Sequence, residues 1–583
     1  MKKSLLLKIK EQPCPVTSSS GINNWEHMMM KTQTIILVFI LFYCISTNLN
    51  AQECFWSSHA GGISSDGAAI IGTDRSGNVY LTGESESPNC YFNTDTLTNL
   101  GYDISFFAKY DAGGSDVWIK PFIAGSVSFE VGYTAIGGII DTIRNEILAS
   151  GYFYGSLTLP DTVLHGNGQT IVLMKMDLDG NIIWARTAGG PGQDFAFGAA
   201  YDEQGNIYMS GSCSDSATFS GTLIPPGGFL AKYNEDGTLI WAKNKFRYYN
   251  QYSVPSFPFT EAPPFNILYS KHRLLINGNI YNSTVIIDTI SIVNNPGFIS
   301  SYLASFDTNG QIEWINCAGG PNGTCMQQFT TDTSGNIIIT GYFITIGFFG
   351  TDTLSISPGN NDCFLAKYNN SGDLIWVKQL TPSIGAAGTA VETDGIGGLY
   401  LAGTFLGDVI FGPDTLSSWP LYDMFVAHYS SDGSCIGCRK YSSGHISHFS
   451  VDNQNNLVLA GNFQNTLTIG PNTFTAYGGD DIFVAKCSAI TGIEEKAKPQ
   501  QSQLLIYANP TTGKCNIKIP EDFRHEKSLV LQIYDNKGTM IQNIPVIMDQ
   551  EKISFNISAQ AKGIYNAILS NGKKSYSGKI VFE

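Results

Sequence analysis

Histidine, charge and long apolar runs are all scarce in this chain. Eight histidines among 583 residues leave little material for metal sites or for His-based acid–base chemistry. Only 14% of residues are charged, and their balance is −15, which argues against a protein that tracks nucleic-acid phosphates with a basic stripe. The most apolar stretch, Ile35 to Ile45, is about half the roughly 20 residues a spanning helix needs. Apolar residues at helical spacing are missing from the repeated middle of the chain. That shortage points away from helical repeats.

The apolar run follows Lys31 and ends in the polar "STNLNA", so residues 28–51 read as a signal peptide cut after Ala51, although Leu49 is larger than the site prefers. Residues 1–27 fit neither a signal nor a fold and read as an over-called extension, with initiation at Met28, Met29 or Met30. Neither Cys44 nor Cys54 has the small neighbours of a lipoprotein signal. The expectation is an exported chain with no transmembrane segment after cleavage.

What the chain has in abundance is glycine, 62 residues, and 12% aromatics, both arranged in repeats. One phrase recurs as "DRSGNVYLTG" (Asp74 to Gly83), "DEQGNIYMSG" (Asp202 to Gly211), "DTSGNIIITG" (Asp332 to Gly341) and "DNQNNLVLAG" (Asp452 to Gly461). Looser copies end at Gly151, Gly278 and Gly403, so the terminal glycines are 58–68 residues apart. A second phrase, such as "FLAKYNEDGTLIW", closes on Trp118, Trp184, Trp241, Trp314 and Trp376. A third, "NTDTL", "GTDTL" or "GPDTL", lies between them at Asp95, Asp352 and Asp414. Alternating apolar residues broken by Asp/Asn-x-x-Gly describe hairpins of about four strands per unit. Such units pack radially as a propeller, with the Trp between neighbouring blades.

The unit ending "IFVAKCSAITG" (Ile482 to Gly492) stops without its Trp strand, while "ECFWSSHAGG" (Glu53 to Gly62) is a Trp strand without a unit. The expected fold is therefore all-β: a seven-bladed β-propeller over residues 53–492, in which the N-terminal strand closes the last blade. If a three-residue loop with a glycine bulge sets each hairpin, Met176 lies opposite Ile182. Their counterparts at the closure are Cys487 and Cys54. A Cys54–Cys487 disulfide would latch the ring, and export permits it.

These phrases resemble the bacterial β-propeller units called SBBP repeats, a resemblance that implies the fold and little about activity. Two units depart from the pattern. One has Gly437 in place of Trp, and the other inserts "RYYNQYSVPSFPFTEAPPF" (Arg247 to Phe265). After a polar linker at 493–503, residues 504–583 read bottom-up as a small Ig-like β-sandwich. They resemble the type A C-terminal sorting domain of the type IX secretion system of Bacteroidetes. The matching positions are Asn509, Pro510, Thr511, Thr512 and Gly513, then Gly563, Ile564 and Tyr565, then Lys579. Ala508 stands where proline is common. The resemblance implies the secretion machinery as a partner, and release or attachment at the cell surface.

The chemistry in the sequence is thin. Cys435 and Cys438 form a lone C-x-x-C that suits a local disulfide or free thiols better than zinc, and Cys317 and Cys325 flank a turn and could pair. "DLDGN" lacks the further oxygens of a calcium loop. "SFDTNGQIEW" misses the sialidase spacing, and "AKYNEDGTLIW" fits a quinoprotein docking motif without the vicinal cysteines such enzymes carry. No Ser or Cys nucleophile pattern is present. The expectation is no metal, no cofactor and no enzyme, but a binding, adhesion or structural role toward a glycan or protein ligand. A secreted hydrolase or lyase acting on polysaccharide is the alternative. Tyr248, Tyr249, Tyr252, Phe257 and Phe259 could line a ligand patch or pack in a core.

Overall fold

The computed structural model describes residues 54–490 and 504–583, apart from 100–103, 126–136, 160, 250–263, 282–283, 294–298, 321, 357–359, 413, 521–522, 524–528, 536–539, 547–550 and 572–574. The leader, the N-terminal extension and the linker 493–503 lie outside the described residues, as do Tyr252, Phe257 and Phe259. The described chain is all-β and divides into two compact units, one ending at Gly492 and one starting at Ile493.

In the first unit a typical sheet runs, from inside out, Asp194–Tyr201, Ile207–Cys213, Gly227–Tyr233 and Leu239–Tyr249, each antiparallel to the last. Asp202 closes the first turn. Its Oδ1 accepts the N–H groups of Gln204 and Asn206, and its Oδ2 accepts Asn206 Nδ2. The innermost strands pack in order: Asp66–Thr73, Gly137–Asp141, Asp194–Tyr201, Pro264–Ser270, Thr324–Thr331, Gly385–Thr393, Gly444–Val451, and back onto Asp66–Thr73. Sheets packed face to face around such a cycle form a β-propeller. The strand Cys54–Ala60 pairs antiparallel with Asp481–Cys487, so the first described strand completes the sheet built by the last repeat. Cys54 faces Cys487 across that pair and the two are disulfide-bonded.

Two repeated residues hold neighbouring sheets together. A Cβ built on Gly114, Gly180, Gly237, Gly310, Gly372 or Gly433 would come within 2.5–3.3 Å of Trp56, Trp118, Trp184, Trp241, Trp314 or Trp376 respectively. Each indole therefore lies over the turn of the next sheet, where a side chain would displace it. Trp56 Nε1 also donates to Ala112 O at 2.9 Å, and Trp376 Nε1 to Ser431 O at 3.3 Å. The D-T-L phrase does more than link two strands. In some units it forms a separate small hairpin, as at Asn89–Tyr91 with Thr96–Thr98, so four strands is an undercount there; at Asp414 it opens the long strand Asp414–Tyr429 instead. In three later units the equivalent hairpin pairs with the outer strand of the preceding sheet, through Ala188 to Phe219, Phe246 to Ile287 and Ala318 to Phe349. Those three outer-strand edges are thereby occupied.

The other cysteine expectations resolve differently. Cys317 and Cys325 do not pair, and Cys435 and Cys438 are thiols, one of the two alternatives their spacing left open. Cys317 is exposed on an outer strand while Cys325 is buried on an inner one. Cys435 and Cys438 share one strand, opposite Tyr429 and Ala427, with Cys438 buried and Cys435 half-buried.

The second unit has a sheet of Ile506–Tyr507, Lys514–Lys518 and Lys552–Asn556, and another of Met540–Val546, Leu529–Tyr534, Gly563–Ser570 and Ser575–Phe582. Ile517, Leu531, Ile533, Ala567, Leu569 and Ile580 belong to one core shared by both. Asn509 ties its loop to the last strand. Its Nδ2 donates to Lys579 O at 2.7 Å and its Oδ1 accepts Val581 N–H at 2.7 Å. Thr511 N–H donates to Val581 O and Glu583 N–H to Thr511 O. The N-P-T-T-G loop and the chain end are thus one hydrogen-bonded structure.

Candidate functional site

A polar notch recurs where the third and fourth strands of a sheet meet its small hairpin. In the phrase D-x-F-h-A the Asp is buried two residues before the Phe, at Asp362, Asp423 and Asp481. Phe364, Phe425 and Phe483 pair with Gln379, Lys440 and His59 on the outer strands. The register hands each Asp a partner: Gln379 Nε2 donates to Asp362 Oδ2 at 2.6 Å, Lys440 Nζ reaches Asp423 Oδ2 at 2.9 Å, and His59 Nε2 lies 2.6 Å from Asp481 Oδ2. Loop N–H groups use these carboxylates as well, Ser443 N–H donating to Asp423 and Tyr477 N–H to Asp481.

Two of the notches differ in how an aromatic ring meets the partner. At Asp481, Tyr477, itself 55% exposed, lies flat on His59 with ring centroids 4.9 Å apart. Trp419 occupies the equivalent place, four residues before Asp423, but it stands 77% exposed. Beside it is an open cleft of about 490 Å³ lined by Ser383, Ile384, Asp408, Ser417, Ser418, Trp419, Asp423 and Lys440. Lys440 Nζ also donates to Ser417 O at 2.9 Å, which seats the ammonium on the cleft floor. Ser383 and Asp408 are stitched by Asp408 N–H to Ser383 Oγ and Ser383 N–H to Asp408 O. Gly407, at φ +84° within the strand Leu399–Phe411, lets that strand touch the Ser383 loop, because a Cβ there would overlap Ser383 Oγ. Ser418 Oγ donates to Leu421 O and holds the turn that presents Trp419, while Leu421 and Tyr422 extend the exposed apolar surface.

Burial acts most visibly on Asp362, whose carboxyl it pushes up to about 6 against the Gln379 hydrogen bond that favours the anion. An unfolded Asp ionises near 3.8, so between about 4 and 6 the unfolded chain releases its proton first. Stability contributed at this site is complete below that window and falls as pH rises through it, by roughly 2–3 kcal/mol. Asp362→Asn keeps an acceptor for Gln379 without the charge. The variant should gain about 2 kcal/mol in urea unfolding at pH 7.5 and nothing at pH 4. An equal gain at both pH values would refute the assignment.

Other acidic groups are engaged by the fold. Asp177 Oδ1 accepts Asp179 and Asn181 N–H and its Oδ2 accepts Asn181 Nδ2, so the "DLDGN" oxygens serve their own turn. Asp307 in "SFDTNGQIEW" does likewise with Asn309 and Gln311. Glu392, on an inner strand, accepts Thr330 Oγ1 at 3.0 Å and Thr393 N–H at 2.9 Å. Buried Asp–Lys pairs, Asp332 with Lys367 and Asp452 with Lys486, explain the lysine of the A-K-Y phrase; in one sheet His428 replaces it, 3.2 Å from Asp394. Tyr248 and Tyr249 belong to the outer strand Leu239–Tyr249, opposite Val285 and Thr284, rather than to an inner strand. The sequence reading passed over Trp419. The signal was present: it is the one Trp after the leader that lies outside the repeated Trp phrase.

Residues 505–583 match the family model described as a secretion system C-terminal sorting domain. A WD repeat-containing protein of Acanthamoeba polyphaga mimivirus is 23% identical over a 444-residue alignment, which covers 63% of this chain and 31% of the relative. The chain thus spans about a third of that protein's length. Among solved structures, the Dos1 propeller aligns at TM-score 0.39 and 9% identity, covering 76% of this chain and 99% of that one. The WD40 propeller of Doa1 aligns at 0.22 and 8%, covering 57% and 89%. A GH43 protein from Bacillus licheniformis aligns at 0.22 and 9%, covering 75% and 98%. Among the described residues no helix is long and apolar enough to cross a membrane. This is a β-propeller chain that ends in a type IX secretion sorting domain, the mark of a secreted or cell-surface protein.

Proposed function

We propose that the chain is a seven-bladed propeller, led out by the signal peptide at 28–51 and carried across the outer membrane by its C-terminal Ig-like sandwich, and that it works there as a binding protein. The cycle of seven packed inner strands supports the blade count. The observation that carries the binding role is the cleft at Trp419, where a 77% exposed indole stands beside a polar floor and next to exposed Leu421 and Tyr422. The secretion machinery is the partner of the last 79 residues, 505–583.

A hydrolase is the second reading, since Asp408 and Asp423 both line the cleft and glycoside hydrolysis uses a carboxylate pair. Against it, Asp423 already serves Lys440 and Ser443 N–H. The test has two parts. Deleting 505–583 should leave the propeller inside the cell envelope, where fractionation would find it. Polysaccharides incubated with the exported chain should be recovered uncut, and a new reducing end appearing with the wild type but not with Asp408→Asn would establish the hydrolase instead.

A further inference from the structure

We propose that the Trp419 cleft binds a neutral glycan, its indole stacking on the apolar face of a sugar ring while Asp408, Asp423, Ser417, Ser418 and Lys440 meet the hydroxyls. The inference rests on the binding reading above and names its ligand class.

Comparison between equivalent notches carries the argument. The Asp481 notch and the Asp423 notch share an Asp two residues before a Phe, a cationic or titratable partner on the outer strand, and an aromatic residue four positions before the Asp. In the first, the aromatic ring covers its partner: Tyr477 lies on His59, and His59 is 12% exposed. In the second, the ring has left its partner. Lys440 is 40% exposed, Trp419 is 77% exposed, and the space between the loops is the cleft. The smaller ring, 55% exposed, stacks on its partner; the larger ring stands off its partner and leaves it more open.

Charge and shape select the ligand. Lys440 and Asp423 neutralise each other, Asp408 adds an exposed negative charge, and the chain carries −15 overall, so an anionic ligand is repelled. An extended peptide needs a free strand edge or successive apolar pockets. Here the hairpin edge is partly used, through the Pro382–Val409 bridge, and one indole forms the principal apolar wall. A sugar ring is apolar on its C–H face and ringed by hydroxyls, each able to donate and accept. That matches one aromatic plane beside carboxylate acceptors, serine hydroxyls and an ammonium donor. About 490 Å³ lies within the range of small-ligand sites and admits about one or two rings, so a chain end or short oligosaccharide fits.

The test is isothermal titration of the exported chain with neutral oligosaccharides of glucose, mannose, galactose and N-acetylglucosamine, alongside a peptide library. One of the oligosaccharides should bind, Trp419→Ala should weaken it at least tenfold, and Trp419→Phe should restore part of the affinity. Tyr477→Ala, at the Asp481 notch, should leave binding unchanged. Both Trp419 variants should melt with the wild type, since the ring is mostly in solvent. If none of the sugars binds and a peptide binds in a Trp419-dependent way, the glycan assignment fails while the binding role survives. If no probe depends on Trp419, the cleft is not a binding site and both readings fail.

Discussion

Breaking the Cys54–Cys487 bond should loosen the ring and leave the individual sheets standing. The two residues sit 433 positions apart, so the bond removes a very large loop from the unfolded ensemble, and the chain-entropy account gives at least about 4 kcal/mol, less any native strain. Nothing else ties the first described strand to the chain covalently at that point. Its other attachments include the ladder from Trp56–Lys486 to Ala60–Ile482, the His59–Asp481 contact, the Trp56 indole over Gly114 and side-chain hydrogen bonds at Trp56, Ser57 and Ser58. Cys54→Ser with Cys487→Ser should lower stability by roughly 2–5 kcal/mol. Proteolysis should then begin at the N-terminal strand, because that strand pairs on one side only. Wild type and the double variant should show the same cleavage order, and the same stability, once the wild type is reduced. Unequal stability in reducing buffer would mean that the serines act through packing, since Cys54 and Cys487 are both buried.

How much of this was legible in the sequence depends on whether a residue repeats. The Asp of D-x-x-G-N, the lysine of A-K-Y and the Trp recur because each solves the same local problem in most sheets: a turn to cap, a carboxylate to pair, a neighbour to cover. Repetition exposed the fold through them. The small hairpins were half visible: the D-T-L phrase was seen, but its pairing with the preceding sheet was not, since that partner lies about 30 residues or more away in sequence, as Ala188 does from Phe219. The candidate site was the least legible part. A site in a repeat protein is a departure from the repeat, and the aromatic insert at 247–265 drew the eye as the largest departure. Trp419 lies in a short departure, "SSWPLYD", where "TAYGGDD" stands in the next unit, and only the last Asp is shared. Only the two notches side by side reveal that one ring covers its partner and the other does not.

The terminal glycine of the first phrase should prove the least replaceable residue of the unit, and Gly341→Ala the most damaging small substitution. Gly341 lies on the second strand opposite Met326, beside a bulge where the inner strand shifts register between Met326 and Gln328. The bulge swings the Cys325 carbonyl toward Gly341, so a Cβ there would overlap that oxygen and press on Phe364 at 3.1 Å. The obstruction is backbone on one side and a buried ring on the other, and neither is free to turn away. Gly211 meets Phe195 O, Gly403 meets Ala387 O and Gly461 meets His445 O in the same way, and this explains why the phrase ends in glycine each time. Relief requires the inner strand to move, and that strand packs on its neighbours around the ring. The expected cost is about 3–4 kcal/mol, at the upper end of overpacking. Gly67 supplies the control. It lies on an inner strand with nothing within 4 Å of its Cβ position, so Gly67→Ala should be neutral or stabilise by up to about 1 kcal/mol. Urea unfolding of both variants decides the matter. Similar small effects would mean that the bulge yields readily and that the recurring glycine answers to something other than the carbonyl beside it.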